Sequence, residues 1–219
     1  MPRLKESAVA TVIGDVIGSR VVPDRHRLHD RVSAALSLVN EAYSPLLPLR
    51  ITIGDEYQGV FATIGDALRA TLRLRLELLP EHDVRHGVGW GEVSVLQSSP
   101  RVEDGPGWWA AREAIVAVET AEHTPGGRGR ATAFRVAGEL YAERSGEQYA
   151  VEAALMLRDQ VVSDLSGRSV SVLRGLLVGR TQRQVAEELE ISASAVSRRV
   201  RADGLAALVT ADELMGGVR

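Results

Sequence analysis

The sequence holds no cysteine among its 219 residues, which excludes a disulfide framework, a thiolate metal site and a cysteine nucleophile. Aromatics are scarce, at 3 Trp, 4 Tyr and 2 Phe, and Lys5 is the only lysine among 26 basic side chains. The arginine excess carries no functional weight, because codon composition alone can produce it. No stretch long enough to cross a bilayer is free of charge, so no transmembrane helix is expected. The start Met1-Pro2-Arg3-Leu4-Lys5-Glu6 leads into an apolar run that Asp15 and Arg20 soon interrupt, with no small-residue cleavage site behind it. That pattern reads as a buried strand rather than a signal peptide, and a soluble cytoplasmic protein without membrane contact is expected. The net charge of −3 excludes a uniformly basic nucleic-acid coat but leaves room for a local patch. His26, His29, His82, His86 and His123 show no zinc spacing, and no nucleophile-elbow motif supports hydrolase chemistry.

The 45% of apolar residues is enough for a packed core. Residues 7–14 are apolar and rich in β-branched side chains, the pattern of a central strand. From Asp24 to Tyr43, Leu28, Val32, Ala35, Leu36 and Val39 recur at helical spacing, with Pro23 and Asp24 at the entry. Leu47–Ile53 and Tyr57–Thr63 read as a hairpin turning at Gly54-Asp55-Glu56. A second amphipathic helix runs from about Gly65 to Leu79, and Val84–Leu96 reads as a strand in which Gly87, Gly89 and Gly91 mark the close approach of a backbone or a ligand. The order β-α-β-β-α-β is the ferredoxin-like arrangement. A loop at 98–107, a helix near Trp108–Glu122, a glycine-rich loop at Pro125–Arg130 and a further strand at 131–137 follow. Beyond about residue 147 only helices are expected, at 149–165, 169–178, 181–189, 193–202 and 204–215. The boundary falls between 140 and 150, giving a domain at 1–145 and a helical domain at 146–219. The fold class is therefore α+β followed by an all-α unit.

Residues 181–201 carry a helix-turn-helix pattern. Ala186 is the small residue at the helix crossing, and Val185, Leu189, Ile191, Val196 and Val200 supply a shared core. Ser192 is placed to cap the second helix. Thr181, Ser194, Ser197, Arg198 and Arg201 offer hydroxyls and guanidiniums suited to base edges and phosphates of duplex DNA. The turn position usually given to glycine holds Glu190. Residues 160–219 carry eight Arg against seven acids, a balance of +1, which leaves −4 for residues 1–159. The field over this unit is weak, so the second helix would carry binding. A helical bundle used for dimerisation or protein contact fits the same pattern.

Asp15 ends the first strand and Asp55 lies in the hairpin tip. In this sheet order those two places are neighbours, so both carboxylates can converge. Two hard oxygen ligands completed by phosphate oxygens and water suit Mg²⁺ or Mn²⁺. A metal held there would offset phosphate charge and activate a hydroxyl. Gly18 and Ser19 lie in the loop that would cradle phosphate through its N–H groups, and Arg20 adds a forked donor. The same aspartates suit the capping of turns. Glu56 reads as a surface or supporting carboxylate, and Trp108 and Trp109 as packing residues or a base-stacking pair.

The blocks Gly14–Arg20, Ile53–Gly59, Arg85–Glu92 and Asp104–Ala114, together with the trailing helix pair, resemble the SatD family of bacterial proteins over nearly the whole chain. Their order and spacing are also similar to class III nucleotidyl cyclases, and Ile53-Gly54-Asp55-Glu56-Tyr57 resembles the diguanylate cyclase signature. That likeness implies a palm domain with Asp15 and Asp55 as metal ligands, Arg112 at the transition state as the catalytic residue, a nucleoside triphosphate or other nucleotide as ligand, and a homodimer. Three positions depart from it. Trp108 stands where those cyclases carry asparagine, Ile51 where a charged residue selects the purine, and Ile53 where the diguanylate signature begins with glycine. With the base-selecting and transition-state machinery altered, the first reading is a DNA-binding transcriptional regulator whose palm-like domain binds a nucleotide and Mg²⁺. The alternative is an active nucleotidyl cyclase or related phosphoryl-transfer enzyme with a DNA-reading tail.

Overall fold

Eight consecutive residues, Val9–Val16 (β1), form a strand buried on both faces. The computed structural model describes residues 8–122 and 124–219 and, of Glu139, the backbone only. Ser7 of the expected first strand, the charged start at 1–6 and His123 lie outside those residues. Asp24 accepts the Arg27 N–H at 2.9 Å and opens the helix Arg25–Tyr43 (α1), whose buried stripe is Leu28, Val32, Ala35, Leu36 and Val39. The hairpin Leu47–Ile53 (β2) and Glu56–Phe61 (β3) follows, and Thr63 caps the helix Ile64–Leu78 (α2). Val84–Gly91 (β4) completes the β-α-β-β-α-β order.

The long strand expected at 84–96 stops at Gly91. Ser94–Ser98 (β5) and Arg101–Asp104 (β6) instead pair with each other as a separate, exposed two-stranded arm, where a loop was expected from 98 onward. Val95, Leu96 and Val102 of this arm stay exposed rather than packing on the main sheet. Pro106–Ala121 (α3) and Thr132–Val136 (β7) come next. The main sheet runs β2-β3-β1-β4-β7, antiparallel except where β7 joins β4 in parallel. α1 and α2 cover one face, packing on Ala10, Val12, Val16, Tyr57 and Val88. α3 covers the other, packing on Ile13 through Ala111 and Ile115.

The helix expected at 149–165 begins earlier, at Gly138, and runs to Ser163 (α4), through the place where the two-domain boundary is expected. Gly138, Gly146 and a run of charged residues hide its first turns from a periodicity argument. What holds it is the sheet edge. Asp159 accepts the N–H groups of Ala131 and Thr132, Glu152 that of Phe134, and Gln148 that of Val136. The outward amides of β7 are thereby paired with helix side chains, which closes an edge that would otherwise template another strand. The opposite edge is closed similarly, with the Asn40 amide bonding both the N–H and the C=O of Leu49 on β2.

Four shorter helices finish the chain: Gly167–Leu177 (α5), Gln182–Glu188 (α6), Ala193–Ala202 (α7) and Leu205–Met215 (α8). Thr181 caps α6 in a capping box with Gln184, and Ser192 caps α7 by accepting the Ala195 N–H at 3.1 Å. Glu190 turns between them at φ 53°, in the left-handed region that favours glycine. Val170, Leu173, Val185, Val196, Val200 and Leu205 share a core with Leu72 and Leu76 of α2. No helix among the described residues is long and apolar enough to cross a membrane.

Candidate functional site

The end of β1 meets the β2–β3 turn directly. Val16 donates its N–H to Asp55 Oδ2 at 3.1 Å, so the hairpin tip is fastened one residue beyond Asp15. Gly54 holds φ 63° at that tip and Gly18 φ 69° in the loop after β1, both left-handed conformations. Arg25 of α1 donates to the Ser19 carbonyl at 2.8 Å and stands 3.8 Å from Asp55 Oδ1. These ties build an open cleft of about 380 Å³ lined by Asp15, Gly18, Ser19, Arg20, Asp55 and Glu56, with Arg85 and Glu119 at its side. The structure brings together the five residues singled out here from the sequence: Asp15, Gly18, Ser19, Arg20 and Asp55.

Each acid of the cleft already has a basic neighbour. Arg85, opposite Asp15 in the β1–β4 pairing, grips both of its oxygens, with Nε–Oδ1 at 2.9 Å and Nη2–Oδ2 at 3.0 Å. Arg112 of α3 grips both oxygens of Glu56 at 2.9 Å. The hydrogen bonds that Arg112 donates hold the Glu56 carboxyl below the usual range, and the carboxylate that accepts them raises the Arg112 guanidinium. Arg112 is thus placed on the cleft's margin through Glu56. Four carboxylates and two guanidiniums line the space, so it favours a cation, or an anion that brings one.

Two carboxylates facing one cleft fit a divalent ion that keeps water and takes phosphate oxygens, the coordination Mg²⁺ prefers. They do not form a complete protein cage: no group of three or more His, Cys, Asp or Glu able to hold a metal occurs among the described residues.

Sequence reasoning missed Arg85, Glu119 and Arg25. A signal for Arg85 existed, since a basic residue two positions before Gly87 faces Asp15 once β1 and β4 are aligned antiparallel. The two tryptophans separate. Trp108 packs beside Ile13, Ala111 and Ile115, while Trp109 is exposed and donates to Asp104 at 2.7 Å. The glycines of β4 receive a backbone and not a ligand: a Cβ on Gly87 would stand 2.1 Å from the Ala111 carbonyl, and one on Gly89 2.2 Å from that of Gly107. On the other core, Ser194, Arg198 and Arg201 are exposed on α7, Ser197 is half-buried, and Thr181 spends its hydroxyl on the α6 cap. Arg198 and Arg201 make no ion pair among the described residues.

No curated protein matches the sequence. Among solved structures, the chain is similar to the adenylyl cyclase CyaB from P. aeruginosa, at 13% identity and TM-score 0.43 over 64% of this chain and 81% of that one. It is similar to the guanylate cyclase domain of RhGC from Catenaria anguillulae in complex with GTP, at 14% identity and TM-score 0.44 over 64% and 84%. A bacterial light-regulated adenylyl cyclase matches at 16% identity and TM-score 0.46, over 58% of this chain but only 43% of that one. Along the sequence itself, one family profile fits residues 9–213, and the chain belongs to the SatD family.

Proposed function

We propose that the cleft between β1 and the β2–β3 turn binds a nucleoside triphosphate together with Mg²⁺ or Mn²⁺, and that the protein is a nucleotidyl cyclase or related phosphoryl-transfer enzyme. The observation that carries this reading is the meeting of Asp15 and Asp55 with the Gly18-Ser19-Arg20 loop in one polar cleft. The metal, when bound, supplies charge compensation and polarisation of the phosphates. Asp15 and Asp55 would hold it. Arg20, exposed at the rim, donates to phosphate oxygens. Arg112, released from Glu56, meets charge that develops on the transferred group. The site lies within the unit expected at residues 1–145, which α4 extends to Ser163.

Incubation of the protein with each nucleoside triphosphate and Mg²⁺ or Mn²⁺, followed by mass spectrometry, is expected to yield a cyclic or condensed nucleotide that Asp55→Asn abolishes. The thermal midpoint should also rise with triphosphate and metal together, because a ligand that binds only the folded state stabilises it by mass action. A protein that gives neither product nor shift with any of the four triphosphates contradicts the reading.

A second reading is favoured by α7, where Arg198 and Arg201 are exposed beside Ser194. In it, residues 146–219 are a helix-turn-helix domain, α7 enters the major groove of duplex DNA, and the nucleotide cleft regulates that contact. Mobility shift at low salt is expected to show duplex binding. Arg198→Ala and Arg201→Ala should each lower the salt slope by about 1 if the side chain meets a phosphate. No binding to any duplex at low salt removes this reading and leaves the first intact.

A further inference from the structure

Arg85 is surrounded by more negative charge than it can balance. Its Nε and Nη2 bond both oxygens of Asp15, while Nη1 lies 3.5 Å from Glu119 Oε1 of α3 and 3.4 Å from Oε1 of Glu122 just past its end. One guanidinium thus faces three carboxylates, an excess of two negative charges, which is the charge of one divalent cation. The Glu122 Oε1 atom is buried and has no hydrogen-bond partner. A buried carboxylate oxygen without a partner costs stability unless the site uses it in another state. Arg85 itself is largely buried, and its guanidinium turns Nε and Nη2 to Asp15 and Nη1 to the two glutamates.

Resting on the proposed metal site, we propose that Arg85 is a built-in counter-cation for Asp15 that retreats onto Glu119 and Glu122 when a divalent cation enters the cleft. In the structure as it stands, both Asp15 oxygens accept from Arg85, so a metal that approaches Asp15 competes with the guanidinium for them. On the Glu122 side the retreat needs no new desolvation, since Glu122 Oε1 is already buried 3.4 Å from Nη1. A monovalent cation gains too little from Asp15 to repay the broken bidentate pair, whereas a divalent ion doubles the Coulomb attraction. Arg85 therefore acts as a positioning residue that selects for charge, and it keeps Asp15 neutralised and fixed while the cleft holds no metal.

The test is titration of Mn²⁺ alone into the full-length protein at low ionic strength, with free Mn²⁺ read by electron paramagnetic resonance. Arg85→Gln is expected to bind Mn²⁺ about tenfold more tightly than the parent, because a competing positive charge is gone. Arg85→Lys, which keeps the charge but not the fork, should fall between the two. Neutralising both acids (Glu119→Gln with Glu122→Gln) should weaken binding more when Arg85 is present than in the Arg85→Gln background. If Arg85→Gln fails to fold, Arg85→Lys carries the comparison. Affinity equal to or weaker than the parent in the folded variant overturns the proposal, and equal losses in the two backgrounds overturn the retreat onto α3. If Asp15→Asn leaves the Mn²⁺ affinity of Arg85→Gln unchanged, the cation does not sit at Asp15 and the metal reading itself falls. Loss of binding with Asp15→Asn but no gain from Arg85→Gln refutes only the role of Arg85.

Discussion

Gly14 owes its identity to Tyr57. A Cβ there would stand 2.4 Å from two carbons of the tyrosine ring, which crosses the end of β1 to place its hydroxyl 2.7 Å from His86 Nε2. Both partners are fully buried, on the strands that flank β1. The next residue after this glycine is Asp15, so the Tyr57–His86 bridge underlies the candidate site. Gly14→Ala is expected to cost about 1–3 kcal/mol, the usual penalty for overpacking a core, read as a lowered thermal midpoint. Burial, and then the positive charges of Arg158 and Arg75, lower the His86 pKa to about 3, against about 6.5 for an exposed imidazole. Between those values the unfolded chain binds a proton that the folded chain does not. Stability is therefore lost as pH falls from about 6.5 towards 3, by up to about 1.4 kcal/mol per pH unit, and is untouched by this group above that window. His86→Gln, whose side-chain amide can donate to or accept from Tyr57, should flatten the fall of the denaturation midpoint across the same range. An unchanged slope would show that other groups govern it.

Among the elements, α3 and α4 show how glycine and polar side chains position the site. The alternate glycines of β4 let the α3 backbone lie against the sheet, and Thr11 Oγ1 donates to the Gly107 carbonyl at 2.8 Å across the same gap. That contact sets where Arg112 meets Glu56 and where Glu119 and Glu122 meet Arg85. Gly89→Ala should push α3 outward and weaken any ligand binding in the cleft along with stability. α4 closes the sheet edge with Glu152, whose carboxylate also pairs with Arg130 and Arg135. Glu152→Ala leaves the Phe134 N–H without its partner and is expected to cost about 1–3 kcal/mol in denaturant unfolding. A neutral result would mean that another group takes up the freed amide. The glycine spacing announced a close approach in the sequence. Whether a helix or a ligand filled it depended on contacts about 20 residues away, which local pattern does not encode.

Over the whole molecule, α2 belongs to two cores at once. Ile64, Leu68, Leu74 and Leu78 pack with α1 and the sheet, while Leu72 and Leu76 pack with α5, α6, α7 and α8. Polar ties reinforce the second contact: Arg69 pairs with the buried Asp212 at 2.8 Å, and Arg174 bonds the carbonyls of Leu76 and Leu79. Arg158 of α4 in turn joins the Leu68 carbonyl of α2 to Thr132 of β7. Calorimetry of the full chain is expected to show a single transition, because separating α5–α8 from α2 would expose Leu72 and Leu76 with the apolar residues that cover them. Two resolved transitions, the first leaving the sheet intact, would contradict this coupling.

The sequence by itself determined the elements whose signals are local. The apolar run of β1, the stripe of α1 behind its Asp24 cap, the Gly54-Asp55 turn and the Ser192 cap of α7 all follow from period and capping chemistry over a few residues. It also brought Asp15, Asp55 and the Gly18-Ser19-Arg20 loop to one end of the sheet, because adjacency of β1 and the hairpin follows from element order. The start of α4, the split of the strand after Gly91 and the β5–β6 arm were left to the tertiary structure. So were the pairings of Asp15 with Arg85 and of Glu56 with Arg112, since an ion pair depends on strand register and helix position rather than on spacing in the chain. Those pairings decide the charge state of the cleft.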